Sequence, residues 1–424
     1  MKTQIYFAAL ILFFTVHHGN TSAQDIIEDV VSMGPGNIDM VFYSLENGAS
    51  ASIDQTSWDI SFDTFSLQSA TIRINGAQGC QLFLLGGLET WNDAATVNIE
   101  ELEVLYNDPT DWGLGAYSSN GDGMFDMGWG VYDVVTHIVT GENVFILQLP
   151  SGELKKTKIV SLANDIYIYV HANLDGTDET EVLVDKTNYV NKNSVYYNFQ
   201  NDEILDLEPD LGDWDFVFCK YIQDLGGAFY YPVTGCLINR TCSSQLMEGL
   251  NDPFIDEIFS SELMSETTNS VGHDWKSYDQ NAGLYEIMDD RCYFATTANE
   301  AVWRVVFTSY GGSATGEIGM GKILEQASVI SVNDFSASES GVKVNIYPNP
   351  ASVNGKVSID VNFSNSYSAT LYNSLGAVLS QGNETTEANN GVSIVLNLSG
   401  LQAGQYVVEI NNSTSRIRKQ LIVQ

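Results

Sequence analysis

The chain is 424 residues long and carries 18 basic against 54 acidic residues, a formal net charge of −36. A surface this negative repels phosphate backbones and anionic lipid, which argues against nucleic acid and acidic membranes as partners and fits solubility outside the cell. Hydrophobic residues at 44% against 17% charged can bury a core, and 21 Tyr with 19 Phe favour strands over helices.

Residues 1–23 read as a signal peptide. Lys2 supplies the positive end, the apolar run from Ile5 to Val16 is too short to span a bilayer, and Thr21-Ser22-Ala23 offers small residues for cleavage. No Cys follows that run to take a lipid anchor. Export permits disulfides among Cys80, Cys219, Cys236, Cys242 and Cys292, and Cys236 with Cys242 is the easiest pair to bridge because it closes a short loop. No C-x-x-C pair supports a zinc or thioredoxin-type site.

Residues 24–330 form the working module, and from about 38 to 327 they contain a duplication. Tyr43 precedes Trp58-Asp59-Ile60-Ser61-Phe62, and Tyr197 precedes Trp214-Asp215-Phe216-Val217-Phe218 at nearly the same distance. Trp129-Gly130-Val131-Tyr132 is matched by Trp275-Lys276-Ser277-Tyr278. An alternating hairpin follows in each half, Phe145 to Ile159 around Ser151-Gly152 and Tyr293 to Phe307 around Ala298-Asn299. The markers recur in one order at a spacing of about 150 residues, too long for a solenoid and suited to two related β lobes, about 38–190 and 191–327. In the Trp-Asp-x-x-Phe unit, strand alternation predicts Trp and Phe on one face, in the core, with Asp on the other. The one helix candidate lies near Ser243 to Met264, on a patchy spacing of Gln245, Leu246, Phe254, Ile255, Ile258 and Phe259.

The "SWDISF" and "DWDFVF" units, the "TIRINGAQG" stretch and hairpins of the kind "LPSGELKKTKI" resemble the HmuY family of secreted haem-binding proteins over most of residues 40 to 320. The resemblance implies an all-β, two-lobed, internally duplicated module that captures haem outside the cell through two axial side chains. Haem iron takes His or Met on its axis. Past the leader the chain has only His137, His171 and His273. Met127 lies two residues before Trp129 and His273 two before Trp275, so lobes related by a two-fold axis would bring Met127 and His273 to a common ligand from opposite sides. His137, alternating with apolar residues in Val135-Thr136-His137-Ile138-Val139, is read on a strand, as a third haem candidate or as a hydrogen-bond partner of an inter-lobe loop. His171 reads as a surface histidine.

Asn120 to Asp126 places oxygens at alternate positions with glycines, as calcium loops do, but lacks the closing bidentate Glu and fits a plain Gly-Asp turn. No G-x-S-x-G elbow and no H-E-x-x-H helix is present, and no paired carboxylates stand out among the acids, so a non-catalytic binding protein is expected. The rival is a cell-surface structural or adhesion protein without a cofactor.

Residues 331–341 are Ser-rich and linker-like, and residues 342–424 turn to short alternating strands with Asn/Gly turns, the pattern of an immunoglobulin-like β-sandwich. "YPNPA", "LYNSLGAVL", "LSGLQAGQYVVEI" and "KQLIV" follow in the order seen in the type A sorting domains of the type IX secretion system of Bacteroidetes, which this segment closely resembles. That resemblance implies handling by the type IX secretion machinery, removal of this domain, and release or attachment at the surface.

Overall fold

The computed structural model describes residues 26–66, 69–256, 259–326, 344–361, 368–372, 378–382, 385–388, 391–402, 404–411 and 416–424. The expected signal peptide and linker lie outside the described residues. The chain is nearly all β, built from antiparallel sheets. One repeat comprises β1 (Ile27–Ser32), β2 (Asp39–Ser44), β3 (Gly48–Asp54), β4 (Ile60–Asp63), β5 (Ile72–Ile74), β6 (Gln81–Gly87), β7 (Val104–Leu105), β8 (Gly130–Asp133), β9 (Ile138–Gly141), β10 (Asn143–Gln148), β11 (Leu154–Ala163) and β12 (Ile166–Asn173). The next comprises β13 (Thr180–Asp185), β14 (Ser194–Asn198), β15 (Glu203–Leu205), β16 (Phe216–Asp224), β17 (Tyr230–Ile238), β18 (Ser243–Met247), β19 (Lys276–Asp279), β20 (Leu284–Ile287), β21 (Cys292–Thr296), β22 (Val302–Tyr310) and β23 (Glu317–Gln326).

The lobes do not coincide with the repeats, because each repeat lends its first three strands to the other. Tyr197 of β14 sits opposite Ile60 of β4, while Tyr43 of β2 sits opposite Phe216 of β16. In the large sheets, β13 closes β12-β11-β10-β6, and β1 closes β23-β22-β21-β18. The first lobe therefore runs through β4 to β15 without interruption, and the second is assembled around it from β1–β3 and β16–β23.

Each lobe is a sandwich of a four-stranded sheet, β15-β14-β4-β5 or β17-β16-β2-β3, on its larger sheet. Alternation supplies the cores: Ile60, Phe62, Phe145, Tyr167, Tyr169 and Val195 fill the first, and Tyr43, Phe216, Phe218, Trp303, Val305 and Phe307 fill the second. The outer faces of the two small sheets meet in a third cluster holding Phe42, Trp58, Tyr196, Trp214 and Tyr221. Trp58 and Phe62 thus occupy different clusters, as do Trp214 and Phe218, against the single face expected from a regular strand. The chain bends at Asp59 and Asp215, and the bend turns each tryptophan to the lobe interface.

The described residues between 243 and 264 form no α-helix, only a single 3-10 turn at Ser261–Leu263. β18 pairs with β21, and the following loop lays Leu250, Phe254 and Phe259 on the outer side of the sheet over Phe294 and Val306, which is the origin of the patchy spacing; Ile258 lies outside the described residues. Cys236 and Cys242 are buried, unbridged thiols: Cys236 faces Phe218 across β17 and β16, and Cys242 Sγ points at Asp215 Oδ1, 3.7 Å away. After the linker, β24 (Val344–Tyr347), β25 (Lys356–Val361), β28 (Thr385–Ala388) and β29 (Gly391–Asn397) make one four-stranded sheet. A second contains β26 (Ser368–Tyr372), β27 (Val378–Gly382), β30 (Gly404–Asn411) and β31 (Arg416–Val423). Val357, Ile359, Leu371, Ile394, Leu396, Val408 and Ile410 are buried between them, the expected small sandwich.

Candidate functional site

The bend ahead of each central strand is held by the same three polar side chains in both lobes. Asp59 Oδ2 accepts the Phe199 backbone N–H and Asp215 Oδ2 accepts that of Leu45, both at 2.8 Å. Asn75 Nδ2 donates to the carbonyls of Gln55 and Trp58 at 2.6 and 2.8 Å, and Asn239 Nδ2 donates to those of Leu211 and Trp214 at 3.0 and 2.8 Å. A thiol completes each set, Cys80 beside Asp59 and Cys242 beside Asp215. Burial raises Asp215 to about 6 and pushes Asp59 in the same direction. Burial also lifts both thiols well above the ordinary cysteine range, so they stay protonated and do not act as nucleophiles. These groups satisfy buried backbone at the strand exchange, which is why they recur.

The two tryptophans lie in the cluster between the lobes. Trp58 packs edge-on against Tyr196 and Trp214 against Phe42, each with ring centroids 5.0 Å apart. Both line a mostly apolar cleft of about 80 Å³ between the small sheets, with Met40, Arg73, Trp112 and Glu208 on its walls. Neither indole N–H meets an acceptor among the described residues, although both are buried. Arg73 donates to the carbonyls of Asp108 and Asp111, each at 2.9 Å, and lies over Trp112; burial lowers it to about 10, so it stays charged. Glu208 accepts the Asn193 N–H at 2.8 Å and the Tyr196 hydroxyl at 3.3 Å, and burial raises it to about 8, leaving it uncharged at neutral pH. The cleft is consequently rich in donors, has the basic Arg73 and Lys220 in its lining, and suits a guest that brings an acceptor.

The residues expected to hold haem are not gathered here. Met127 is half-buried against the first core and lines another cavity, of about 230 Å³, beside the buried Asp63–Arg240 ion pair that joins the lobes. His273 packs on Tyr221, with Nδ1 3.5 Å from its hydroxyl. Burial, with Lys276 nearby, depresses its pKa. His137 is neither on a strand nor between lobes: it occupies the exposed turn joining β8 to β9, at φ +60°, with Nδ1 2.7 Å from the Tyr132 hydroxyl. Gly283 holds the equivalent left-handed position between β19 and β20, so His137 stands where the turn favours glycine. His171 is buried, contrary to its surface reading, with Nε2 2.9 Å from the Tyr197 hydroxyl. In the loop from Asn120, Asp126 turns its carboxylate onto the backbone N–H groups of Asp122 and Gly128, closing a turn.

Sequence reasoning found the tryptophans and their aspartates but missed Asn75 with Asn239, Cys80 with Cys242, and the cleft residues Arg73 and Glu208. The spacing hides them: Asp59 to Asn75 is 75 − 59 = 16 residues, whereas Asp215 to Asn239 is 239 − 215 = 24. A longer hairpin in the second lobe takes up the eight-residue difference. Aligning the halves on Asn and Cys after each Trp-Asp unit, with that gap allowed, would have exposed both of these pairs, though not Arg73 and Glu208.

The chain is thus an all-β exported protein with a sorting address in its C-terminal residues. Residues 345–424 match the family described as "Secretion system C-terminal sorting domain", which makes the tail a type IX sorting domain and the protein secreted or held at the cell surface. No helix among the described residues is long and apolar enough to cross a membrane. No curated protein matches the chain. Among solved structures it is similar to PorZ, a bacterial surface component of the type IX secretion system of Porphyromonas gingivalis, at 11% identity and a TM-score of 0.15, covering 69% of this chain and 41% of that one. It is also similar to a polysaccharide lyase at 10% identity and a TM-score of 0.17, covering 88% of this chain and 40% of the other. A copper-bound fungal alcohol oxidase gives 10% identity and a TM-score of 0.17 over 95% of this chain and 100% of its own. The chain therefore spans about two fifths of the length of the first two, and at these scores none of the three bears on function.

Proposed function

We propose that this chain is a non-catalytic binding protein working outside the cell, and that the cleft between its lobes takes a small, largely apolar ligand bearing a hydrogen-bond acceptor. The observation that carries this reading is the pair of buried, acceptor-less indole N–H groups of Trp58 and Trp214 on the walls of one cleft, next to the charged Arg73. A concave, mostly apolar surface with a few convergent polar groups is the usual form of such sites. The test is a calorimetric and tryptophan-fluorescence titration of the mature chain with acetate, butyrate, hexanoate and benzoate. At least one is expected to bind, with Trp58→Phe and Trp214→Phe each weakening it roughly tenfold, the worth of one hydrogen bond to a charged acceptor. Four flat titrations, or binding indifferent to both variants, would reject the cleft as the site.

The HmuY-like form of this reading rests on the duplicated Trp-Asp units and the paired hairpins, and it names haem as the ligand. Haem does not fit the cleft as the lobes stand: about 80 Å³ falls below the roughly 300–1,000 Å³ of pockets for larger organic ligands, and neither His273 nor Met127 lines it. Haem capture therefore requires the lobes to part. Haemin titrated into micromolar protein would then give a shifted Soret band that Met127→Ala or His273→Ala weakens, and a flat spectrum rejects haem while leaving the carboxylate titration to decide the cleft.

A further inference from the structure

The eight extra residues of the second lobe build something that the first lobe lacks. The hairpin of β16 and β17 runs on past the sheet to a turn at Gly226-Gly227, and its tip carries Phe229, Tyr230 and Tyr231 in succession. Alternation splits these rings between two faces. Tyr230 stacks flat on Tyr106 of the first lobe, with centroids 3.8 Å apart and planes 10° from parallel, which ties the arm down. Phe229 and Tyr231 are left on the other side, stacked on each other at 5.9 Å. Tyr231 lies within electrostatic reach of Tyr285, which pairs across the β19–β20 hairpin with Tyr278 at 5.0 Å. The four rings Phe229, Tyr231, Tyr285 and Tyr278 are 59%, 51%, 41% and 54% exposed, so a row of aromatic rings stands open to solvent. Burying such side chains is worth more than leaving them out, and a continuous exposed row marks a place where something docks.

We propose that this row is a binding platform for a neutral polysaccharide. The charge around it selects that occupant. Segments 223–231 and 277–288 contain no Lys or Arg. Polyanionic chains find no basic residue in these segments and are repelled by the net charge of −36. A neutral sugar chain suits it on both counts. The C–H faces of pyranose rings lie flat on aromatic rings. Tyrosine suits a surface that must stay soluble when empty, because its hydroxyl remains hydrated.

The test is affinity electrophoresis of the mature chain through native gels containing laminarin, xyloglucan or glucomannan, with polygalacturonate as the anionic control. At least one neutral polysaccharide is expected to retard the protein. Tyr231→Ala and Tyr285→Ala are each expected to weaken retardation roughly tenfold, and the double variant to abolish it, at unchanged melting temperature. Polygalacturonate is expected to leave mobility unaltered. Unretarded migration in all three neutral gels overturns the proposal. So does retardation that survives the double variant, or binding confined to poly-lysine, which would make the surface a cation trap. Sedimentation that shows a dimer abolished by the same double variant also overturns it, by assigning the row to a second copy of the chain.

Discussion

The two lobes solve one problem with different bases. In the first, His171 donates through Nε2 to the Tyr197 hydroxyl at 2.9 Å, and that hydroxyl donates to Asp202 at 2.7 Å. In the second, Lys322 donates to the Tyr43 hydroxyl at 2.6 Å, and that hydroxyl donates to Asp29 at 2.6 Å. The tyrosines are the paired markers of the repeat, and each reaches its partner across the strand exchange. The base lies on the equivalent strand, β12 or β23, while its identity has drifted. The carboxylates come from unlike places, the turn before β15 and the first strand of the chain. The need for a buried tyrosine hydroxyl to be satisfied on both sides has been retained, and the means have not.

The sharpest test of this equivalence removes the tryptophans. Trp58→Ala and Trp214→Ala should each cost about 3–5 kcal/mol in urea unfolding, because both empty a packed aromatic contact at the lobe interface. A loss at one position with none at the other would break the symmetry claimed for the lobes. Next in size is the base. Burial depresses the His171 pKa, so the folded state resists a proton that the unfolded chain accepts near pH 6.5; its contribution is present above that pH and is lost as pH falls toward the lower folded value. His171→Gln should cost about 1–3 kcal/mol at pH 7.5, and the gap to the parent should narrow between pH 7 and pH 5. Lys322→Gln should show a gap that narrows toward pH 5 only as far as Asp215, raised to about 6 by burial and held down by Lys322, takes up its proton. Parallel curves for His171→Gln would remove the histidine as the source of acid sensitivity. The smallest effect concerns the turn. His137→Gly should leave stability level or raise it by up to about 1 kcal/mol, the relief of φ +60° offsetting the lost Tyr132 contact, whereas Gly283→Ala should cost about 1–2 kcal/mol. Equal responses in chemical denaturation would refute the matching of these two turns.

Local pattern was enough to read the all-β class, the duplication and the sorting sandwich. Alternating runs such as Phe145-Ile146-Leu147 and Ile166 to Val170 name their own strands, and the Trp-Asp units mark a repeat. The exchange was not legible, because nothing near Tyr43 says that its partner is Phe216 rather than Ile60. Pairing between strands so far apart is settled by which sheet each edge completes. The interface face of Trp58 was hidden by a bend at the next residue, and the burial of His171 by a partner, Tyr197, that lies beyond a turn and a further strand. Of the cleft, the two tryptophans were visible as markers, whereas Arg73 and Glu208 lay among ordinary surface charges until the fold buried them.

The route of the chain fixes an order of assembly. Residues 58–207 hold every strand of the first lobe, so that lobe can close as soon as they are available. The leading arm, β1 to β3, must wait for β16 and β23, and Ile27 meets Lys322 across almost the whole module. Closing so long a loop is slow and is made only once the far end has arrived. Until the far end arrives the amino-terminal arm has no sheet to join, so seating it is the late step of assembly. Removal of residues 27–54 should leave an intact first lobe tethered to an unclosed second one.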